Sequence, residues 1–356
     1  MHQFSVPRGA ALLCAVSLAI LPARGEQQQP AADWQARETH LRNVTALTSG
    51  GENAEAYFSH DGRRLVFQST AASGGCDQIY TMALDGSDRR RVSTGSGRTT
   101  CGYFDPPGDT IIFASTHLAG AECPPKPGYE RGYVWPIYAS YDIVRVKGDG
   151  SGLTRVTSTP GYDAEATIAP DGLITFTSTR DGDMEIYTMG SDGSGVKRLT
   201  HRRGPDGGPF FSFDGARIAF RGRELQPGPE LDDYLTLLKD GLWRPTQLEI
   251  FVMDRDGRNT RQVTKLGGAN FAPSWTPDGK RLVFASNHHN PRGRNFDIFM
   301  INIDGTGLEQ ITFNDTFDGF PMFSPDGAKL VFASNRQAKR EGETNVFIAD
   351  WVGSSR

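Results

Sequence analysis

The stretch FSPDGAKLVFAS, residues 323–334, decides the fold of this protein. It joins two short apolar runs through a Ser-Pro-Asp-Gly turn. Asp-Gly between alternating apolar residues favours a tight hairpin, because glycine accepts the positive φ that such turns need. The second run closes on Phe332, which small polar residues follow. The segment is therefore predicted to form two antiparallel strands.

The same unit occurs six times along the chain. The copies share the turn, although Pro107 and Gly108 stand in the second copy where the others have Asp-Gly. The closing aromatic residues keep one register and are Phe67, Phe113, Phe176, Phe220, Phe284 and Phe332. A third apolar run and a short fourth run follow in most copies, and repetition of four strands indicates a propeller. We predict an all-β, six-bladed β-propeller with four antiparallel strands in each blade.

The last copy ends after its third apolar run, at residues 345–351. Residues 44–48 resemble the fourth runs and precede the first copy. We therefore predict that an N-terminal strand completes the last blade and closes the ring, which removes exposed strand edges. Residues 41–351 are taken as one propeller domain, and residues 352–356 as a C-terminal tail.

The N-terminal segment has the pattern of an export signal. Arg8 precedes an apolar run over residues 10–21, and the small residues Ala23 and Gly25 follow. The run is shorter than the roughly 20 apolar residues that a membrane-spanning helix needs. We predict a signal peptide over residues 1–25, a flexible leader over residues 26–40, and a periplasmic or secreted protein with no membrane span after cleavage.

The composition excludes one broad class of function. The formal net charge is -4, with 38 Lys and Arg against 42 Asp and Glu. No basic excess is present to neutralise phosphates, so a general nucleic-acid binder is not expected. We expect a monomer.

The pattern F-S-P-D-G-x-x-h-h-F-x-S, followed by D-I-Y-x-M-x-x-D-G-S, is similar to the propeller repeat of TolB and its relatives, over about residues 41–351. The resemblance implies a TolB-like propeller, without the N-terminal α/β domain of TolB, since only a short leader is expected before the blades. Such propellers serve as scaffolds, peptide binders and enzyme accessory domains. The resemblance therefore favours a non-enzymatic scaffold that binds an envelope protein or peptide.

The topology of a blade predicts two unlike rims. Turns between strands one and two, and between three and four, share one rim, here called the turn rim. Connections between strands two and three, and between blades, share the other, here called the loop rim. The loop rim carries insertions at about residues 117–140 and 222–246, and residues 229–241 are predicted to form a helix.

Loops on a rigid scaffold commonly carry binding residues. The candidates on the loop rim and at the channel entrance are Tyr133, Trp135, Asp163, Glu165, Asp206, Asn270, His288, His289 and Asp318. The innermost strands also begin near Glu55 and Cys101. A ring of carboxylates would suit a divalent cation, a peptide N-terminus or basic side chains. The alternatives are solvated acids at strand starts and aromatic residues that only pack on the scaffold.

No catalytic residues are assigned, because the sequence contains no G-x-S-x-G, H-E-x-x-H or phosphate-loop motif. No cofactor is expected apart from a possible divalent cation at the channel mouth. The alternative function is a metal-dependent, lyase-like carbohydrate-active enzyme that uses His288 and His289 on the same rim. Adjacent residues on a strand face opposite sides, so both could bind one metal only from a loop.

Three cysteines remain after cleavage of the signal peptide, and they predict one disulfide and one free thiol. We favour Cys101 with Cys123, which would tether the first insertion to its own blade. Cys76 with Cys101 is the rival pairing.

Overall fold

Six four-stranded antiparallel sheets, one for each copy of the repeat, form the fold. The computed structural model describes residues 34–71, 73–106, 109–128 and 130–353. The predicted signal peptide and the Pro107-Gly108 turn lie outside the described residues. The six-bladed, all-β prediction is confirmed.

The blades follow one another in sequence, and the first strand of each lines the central channel. The strands of blades one to three are Glu52–Phe58, Arg64–Thr70, Gln78–Ala83 and Arg90–Arg91; Thr99–Asp105, Thr110–Ser115, Asp142–Lys147 and Thr154–Arg155; Asp163–Ile168, Ile174–Ser178, Glu185–Met189 and Lys197–Arg198. Those of blades four to six are Asp206–Phe211, Arg217–Gly222, Glu249–Asp254 and Arg261–Gln262; Asn270–Trp275, Arg281–Ser286, Asp297–Asn302 and Glu309–Gln310; Asp318–Phe323, Lys329–Ser334, Asn345–Trp351 and Leu41–Ala46.

The repeated turns form for a local reason. In the last blade, Ser324 Oγ donates to Asp326 Oδ1 at 2.6 Å, and the same carboxylate accepts the backbone N–H of Ala328 at 3.0 Å. Gly327 follows with φ of 71°. The side chain of Asp326 thus replaces a backbone partner in the turn, and glycine supplies the left-handed conformation.

The closing phenylalanines form the centre of each blade. All six have no exposed surface. Five of them face an aromatic residue on the third strand, for example Phe220 opposite Phe251 with ring centroids 5.5 Å apart. The register of the repeat in the sequence is therefore the register of the hydrophobic core.

The ring is closed by the start of the chain. Leu41–Ala46 pairs antiparallel with Asn345–Trp351, with Leu41 opposite Trp351 and Ala46 opposite Phe347. The closing strand begins three residues earlier than the sequence pattern suggested. The predicted closure is confirmed.

Residues 34–40 are part of the folded unit, so the flexible leader that we assigned to residues 26–40 extends too far. Trp34–Arg37 forms one helical turn, and Glu38 is buried. The carboxylate of Glu38 accepts hydrogen bonds from both terminal nitrogens of Arg336, each at 2.9 Å. The buried ion pair with the last blade holds residues 34–40 in the fold, although this segment is largely polar.

The two insertions on the loop rim meet each other. Trp135–Pro136 pairs with Leu242–Trp243 in a two-stranded ribbon. The predicted helix is observed as Pro229–Lys239, and it buries Tyr234 against the scaffold. Neither described helix has the length or the apolar composition to cross a lipid bilayer.

The disulfide joins Cys76 to Cys123, and Cys101 is free. Both pairings considered from the sequence are therefore wrong. The three cysteines do share the loop rim, but Cys101 turns into the channel mouth, whereas Cys76 and Cys123 lie on connections of neighbouring blades. The bridge tethers the first insertion to blade one.

We expect non-reducing peptide mapping to recover Cys76 linked to Cys123, with Cys101 open to alkylation after unfolding. Cys123→Ser should lower the free energy of unfolding by about 2–4 kcal/mol, because the bridge closes a long loop. Denaturant unfolding of this variant, beside Cys101→Ser at less than about 1 kcal/mol, checks the value. Equal losses for the two variants would contradict the assignment.

Candidate binding site at the channel mouth

A ring of six equivalent residues lines the channel mouth on the loop rim. Each stands two residues after the first buried residue of its innermost strand, where the pairing register shifts in every blade. All six have positive φ, between 51° and 59°, and they are Glu55, Cys101, Glu165, Gly208, Ala272 and Phe320. A bulge with a left-handed residue re-aims a side chain, and non-glycine residues adopt this conformation at a cost. The bulges turn these side chains to the channel.

The ring forms the floor of a cavity of about 370 Å³. The ribbon between the two insertions brings Tyr133 and Trp135 into its wall. Trp135 also contacts Phe271 of blade five edge to face, with centroids 6.2 Å apart. The insertion of blade two thus reaches across the mouth, and the cavity has a carboxylate-rich side and an aromatic side.

Glu165 and Arg221 form an ion pair on the polar side. Arg221 Nη2 donates to Glu165 Oε1 at 2.7 Å, while Oε2 accepts from Thr177 Oγ1 at 2.7 Å and from the N–H of Gly208 at 2.8 Å. Burial alone would raise the pKa of Glu165, but the charge of Arg221 and these hydrogen bonds lower it. Glu165 is therefore a satisfied carboxylate.

Glu55 has a different environment. Its Oε2 atom is buried without a hydrogen-bond partner in the described part of the chain. Burial raises the pKa of Glu55 to about 7, against a hydrogen bond from the Cys101 thiol that lowers it. Burial also raises the pKa of that thiol well above its usual value. Glu55 is thus poised to change charge near neutral pH.

Aromatic side chains divide the channel below this cavity. Tyr57 and Phe210 have centroids 5.2 Å apart, and Tyr103 lies 6.2 Å from Phe210. A second cavity of about 220 Å³ opens on the turn rim and is lined by the same Phe210. The aromatic cluster separates the two cavities, so the mouth on the loop rim is a closed-ended cup.

Comparison with known proteins agrees with this architecture. Residues 241–355 match the family model of the TolB beta propeller domain. A protein TolB homolog of Chlorobium luteolum is 30% identical over 135 residues, which are 32% of this chain and 31% of that protein. The crystal structure of TolB from Acinetobacter baumannii superposes with a TM-score of 0.56 at 19% identity, over 77% of this chain and 57% of that one. The protein is a TolB-like β-propeller. The matched segments span less than half the length of the curated relatives.

Four predicted site residues of the TolB-like propeller do not face the channel. Asp163, Asp206, Asn270 and Asp318 have no exposed surface. Arg180 Nη2 donates to both carboxylate oxygens of Asp163 at 2.9 Å, and Asn270 Nδ2 donates to the carbonyl of Leu248 at 2.7 Å. The expectation of open carboxylates at these positions is wrong, because each side chain is turned inward to hold a neighbouring strand or arginine.

The two adjacent histidines lie apart from the cup. The ring of His288 contacts Phe299 at 4.6 Å, and His289 Nε2 is 3.6 Å from Asp297 Oδ2. Burial lowers the pKa of His288. No group of three or more His, Cys, Asp or Glu side chains within the described ranges is arranged to hold a metal ion. The fold is shared with an oligogalacturonate lyase from Vibrio parahaemolyticus, with a TM-score of 0.52 at 14% identity over 85% of this chain and 79% of that one. This likeness shows the fold alone, and the lyase alternative is not favoured.

Of the nine candidates, Tyr133, Trp135 and Glu165 line the cup of the TolB-like propeller. The sequence did not single out Arg221 or Phe320, which complete it. Phe320 could have been found from its place two residues after Asp318, the offset that separates Glu165 from Asp163. Arg221 lies next to the end of the second strand of blade four, and only the packing against blade three shows that it reaches Glu165.

Proposed function

We propose that this TolB-like propeller is an exported, non-enzymatic scaffold that captures an envelope protein or peptide in the cup on its loop rim. The observation that carries the proposal is the cup itself, where aromatic and carboxylate side chains meet at a mouth that two insertions narrow. Aromatic anchors in concave sites contribute much of the energy of protein recognition. The name Tol-Pal system protein TolB, carried by a Geobacter sulfurreducens relative that is 40% identical over 73 residues, also favours an envelope partner.

The asymmetry of the two rims supports the same face. The turn rim presents repeated short Asp-Gly turns, whose carboxylates accept hydrogen bonds from their own backbone, as Asp304 does from Thr306. The loop rim presents unlike side chains, and Tyr133 is 53% exposed there. The hydroxyl of Tyr133 accepts a hydrogen bond from Trp135 Nε1 at 2.8 Å, which holds the exposed ring in place for a partner.

We expect Tyr133→Ala to weaken partner capture by about tenfold, because an exposed aromatic anchor contributes on the order of 1–2 kcal/mol to binding. The partner is first identified by affinity capture from the native envelope with the unmodified protein. Binding titrations of the two purified proteins then give the dissociation constants. Thermal melting of the variant should be unchanged, because more than half of the Tyr133 side chain already lies in solvent.

The matched control is Asp304→Asn on the turn rim, since asparagine also suits the turn. It should leave the dissociation constant unchanged. Loss of capture by the turn-rim variant, with full capture by Tyr133→Ala, would place the function on the other face and overturn the proposal.

A further inference from the structure

The cup has an unbalanced charge. Its ionisable lining consists of Glu52, Glu55, Glu165 and Arg221, apart from Cys101 and two tyrosines. Arg221 is committed to Glu165, and Glu52 lies at the rim, where Lys126 Nζ is 3.7 Å from its carboxylate. Among the described residues that line the cup, Glu55 is the one carboxylate without an ion-pair partner of its own, although the charge of Arg221 also reaches it. A ligand that supplies a positive charge would therefore complete the site.

The free acceptor on Glu55 narrows the geometry of that ligand. One carboxylate oxygen of Glu55, Oε2, is buried and unpartnered among the described residues, and Cys101 lies beside the carboxyl group in the floor of the cup. A guanidinium binds best when both oxygens of a carboxylate accept its two parallel donors. A primary ammonium is a compact point charge and needs only one acceptor. The buried, unpartnered Oε2 atom matches the one acceptor that an ammonium needs.

The aromatic side of the cup suits the same group. Tyr133, Trp135, Phe271 and Phe320 line the wall beside the polar floor. Aromatic faces attract an ammonium ion and pack against the methylene groups that carry it. Tyr133 already has the guanidinium of Arg294 5.6 Å from its ring centre, on which a cation is therefore accommodated.

We propose that the partner inserts a primary ammonium group into the cup, where Glu55 accepts its hydrogen bond and Tyr133 and Trp135 enclose its carbon chain. The inference rests on the proposed function, because it names the group by which a partner would be held at this face. The ammonium is either a lysine side chain or a peptide N-terminus, two sources of the same chemistry.

Cys101 provides a direct test without a known partner. It is the only free cysteine within the described ranges, and it lies in the cup floor beside Glu55. The full chain is equilibrated with equal amounts of cystamine and 2-hydroxyethyl disulfide in a buffer of the matching thiols. Thiol–disulfide exchange then caps Cys101 with either an aminoethyl or a hydroxyethyl group. Peptide mass spectrometry gives the ratio of the two caps.

At pH 8 we expect the aminoethyl cap to be favoured by about tenfold over its ratio in Glu55→Gln. The preference should shrink toward unity at pH 6, because a carboxyl group with a pKa of about 7 is then largely protonated. Glu165, Arg221 and Asp77 also act on Glu55, so the midpoint is read relative to Glu55→Gln. The control is Glu130→Gln, which replaces an exposed carboxylate on the insertion of blade two and should retain the full preference for the aminoethyl cap.

Calorimetry with two short peptides distinguishes the two sources. One peptide is acetylated and contains a single lysine, and the other lacks lysine and has a free N-terminus. Binding of the first supports a lysine side chain, and binding of the second supports a terminal amine. Equal cap ratios in the unmodified protein and in Glu55→Gln at pH 8 would overturn the ammonium site. That result would leave the proposed function to be judged by the Tyr133→Ala titration.

Discussion

Replacing Arg336 with alanine is expected to lower the free energy of unfolding by about 3–5 kcal/mol. The guanidinium is buried and donates to both oxygens of Glu38 and to Asp318 Oδ2, each at 2.9 Å. Both carboxylates are buried as well. The variant would leave two negative charges in the protein interior without their shared cation, and breaking a buried ion pair in this way is costly.

Urea denaturation at pH 7.5 measures the loss, with Arg63→Ala as the control. Arg63 forms an ion pair with Asp61 on the turn rim, and both side chains are well exposed. The free energy of unfolding of Arg63→Ala should therefore stay within about 0.5 kcal/mol of the unmodified protein. If the two variants lost equal stability, the buried network would not hold the N-terminal segment in place.

The penalty in Arg336→Ala should also decrease as the pH falls. Burial raises the pKa of Glu38 even with Arg336 present, and the arginine opposes this rise. Without the arginine the folded-state pKa rises further above the unfolded value. The folded variant then binds protons more readily than its unfolded chain, so its stability is recovered toward low pH and lost as the pH rises through the raised pKa. Unfolding curves of both proteins between pH 5 and pH 8 check the sign.

A chain that begins at Ser49 should lose ring closure and associate. Such a chain lacks the strand Leu41–Ala46, which pairs with Asn345–Trp351. It also lacks Glu38, the partner of Arg336. The exposed strand edge would then offer unpaired N–H and C=O groups to a second molecule. We expect a fall in melting temperature of more than about 10 °C, because several kcal/mol are lost in a domain of this size, and light scattering should detect oligomers.

The control is a chain that begins at Trp34, which retains the helical turn, Glu38 and the closing strand. It should melt like the full-length protein and remain in the same association state. A chain from Ser49 that stayed monomeric with an unchanged melting temperature would contradict the closure energetics.

The sequence alone was sufficient for the fold, because a propeller repeats one local unit. The Asp-Gly turns and the register of Phe67 through Phe332 each arise within a few neighbouring residues, and the repetition multiplies the signal. The closing strand could be inferred as well, because the last copy lacks a fourth strand and a matching run stands at the start. The burial of Glu38, just before this strand, could not be inferred, because its partner Arg336 lies at the far end of the chain.

The residues of the cup were also only partly predictable from the sequence. The sequence placed Tyr133, Trp135 and Glu165 on the loop rim, because strand order within a blade fixes which connections share a rim. It did not separate the inward-turned Asp163 from the channel-facing Glu165, two residues away. That choice depends on the bulge at Glu165, where φ is 58°. It also depends on two arginines that pair with one carboxylate each, Arg180 from the loop after the second strand and Arg221 from blade four.

The pairing of the cysteines could not be predicted from the sequence. Local pattern determined that Cys76, Cys101 and Cys123 share the loop rim. Only the tertiary structure decided that the bridge joins Cys76 to Cys123 while Cys101 faces the cup beside Glu55. A strand pattern depends on residues close in sequence and can be read directly, whereas side-chain partners across blades depend on how the closed ring brings distant segments together.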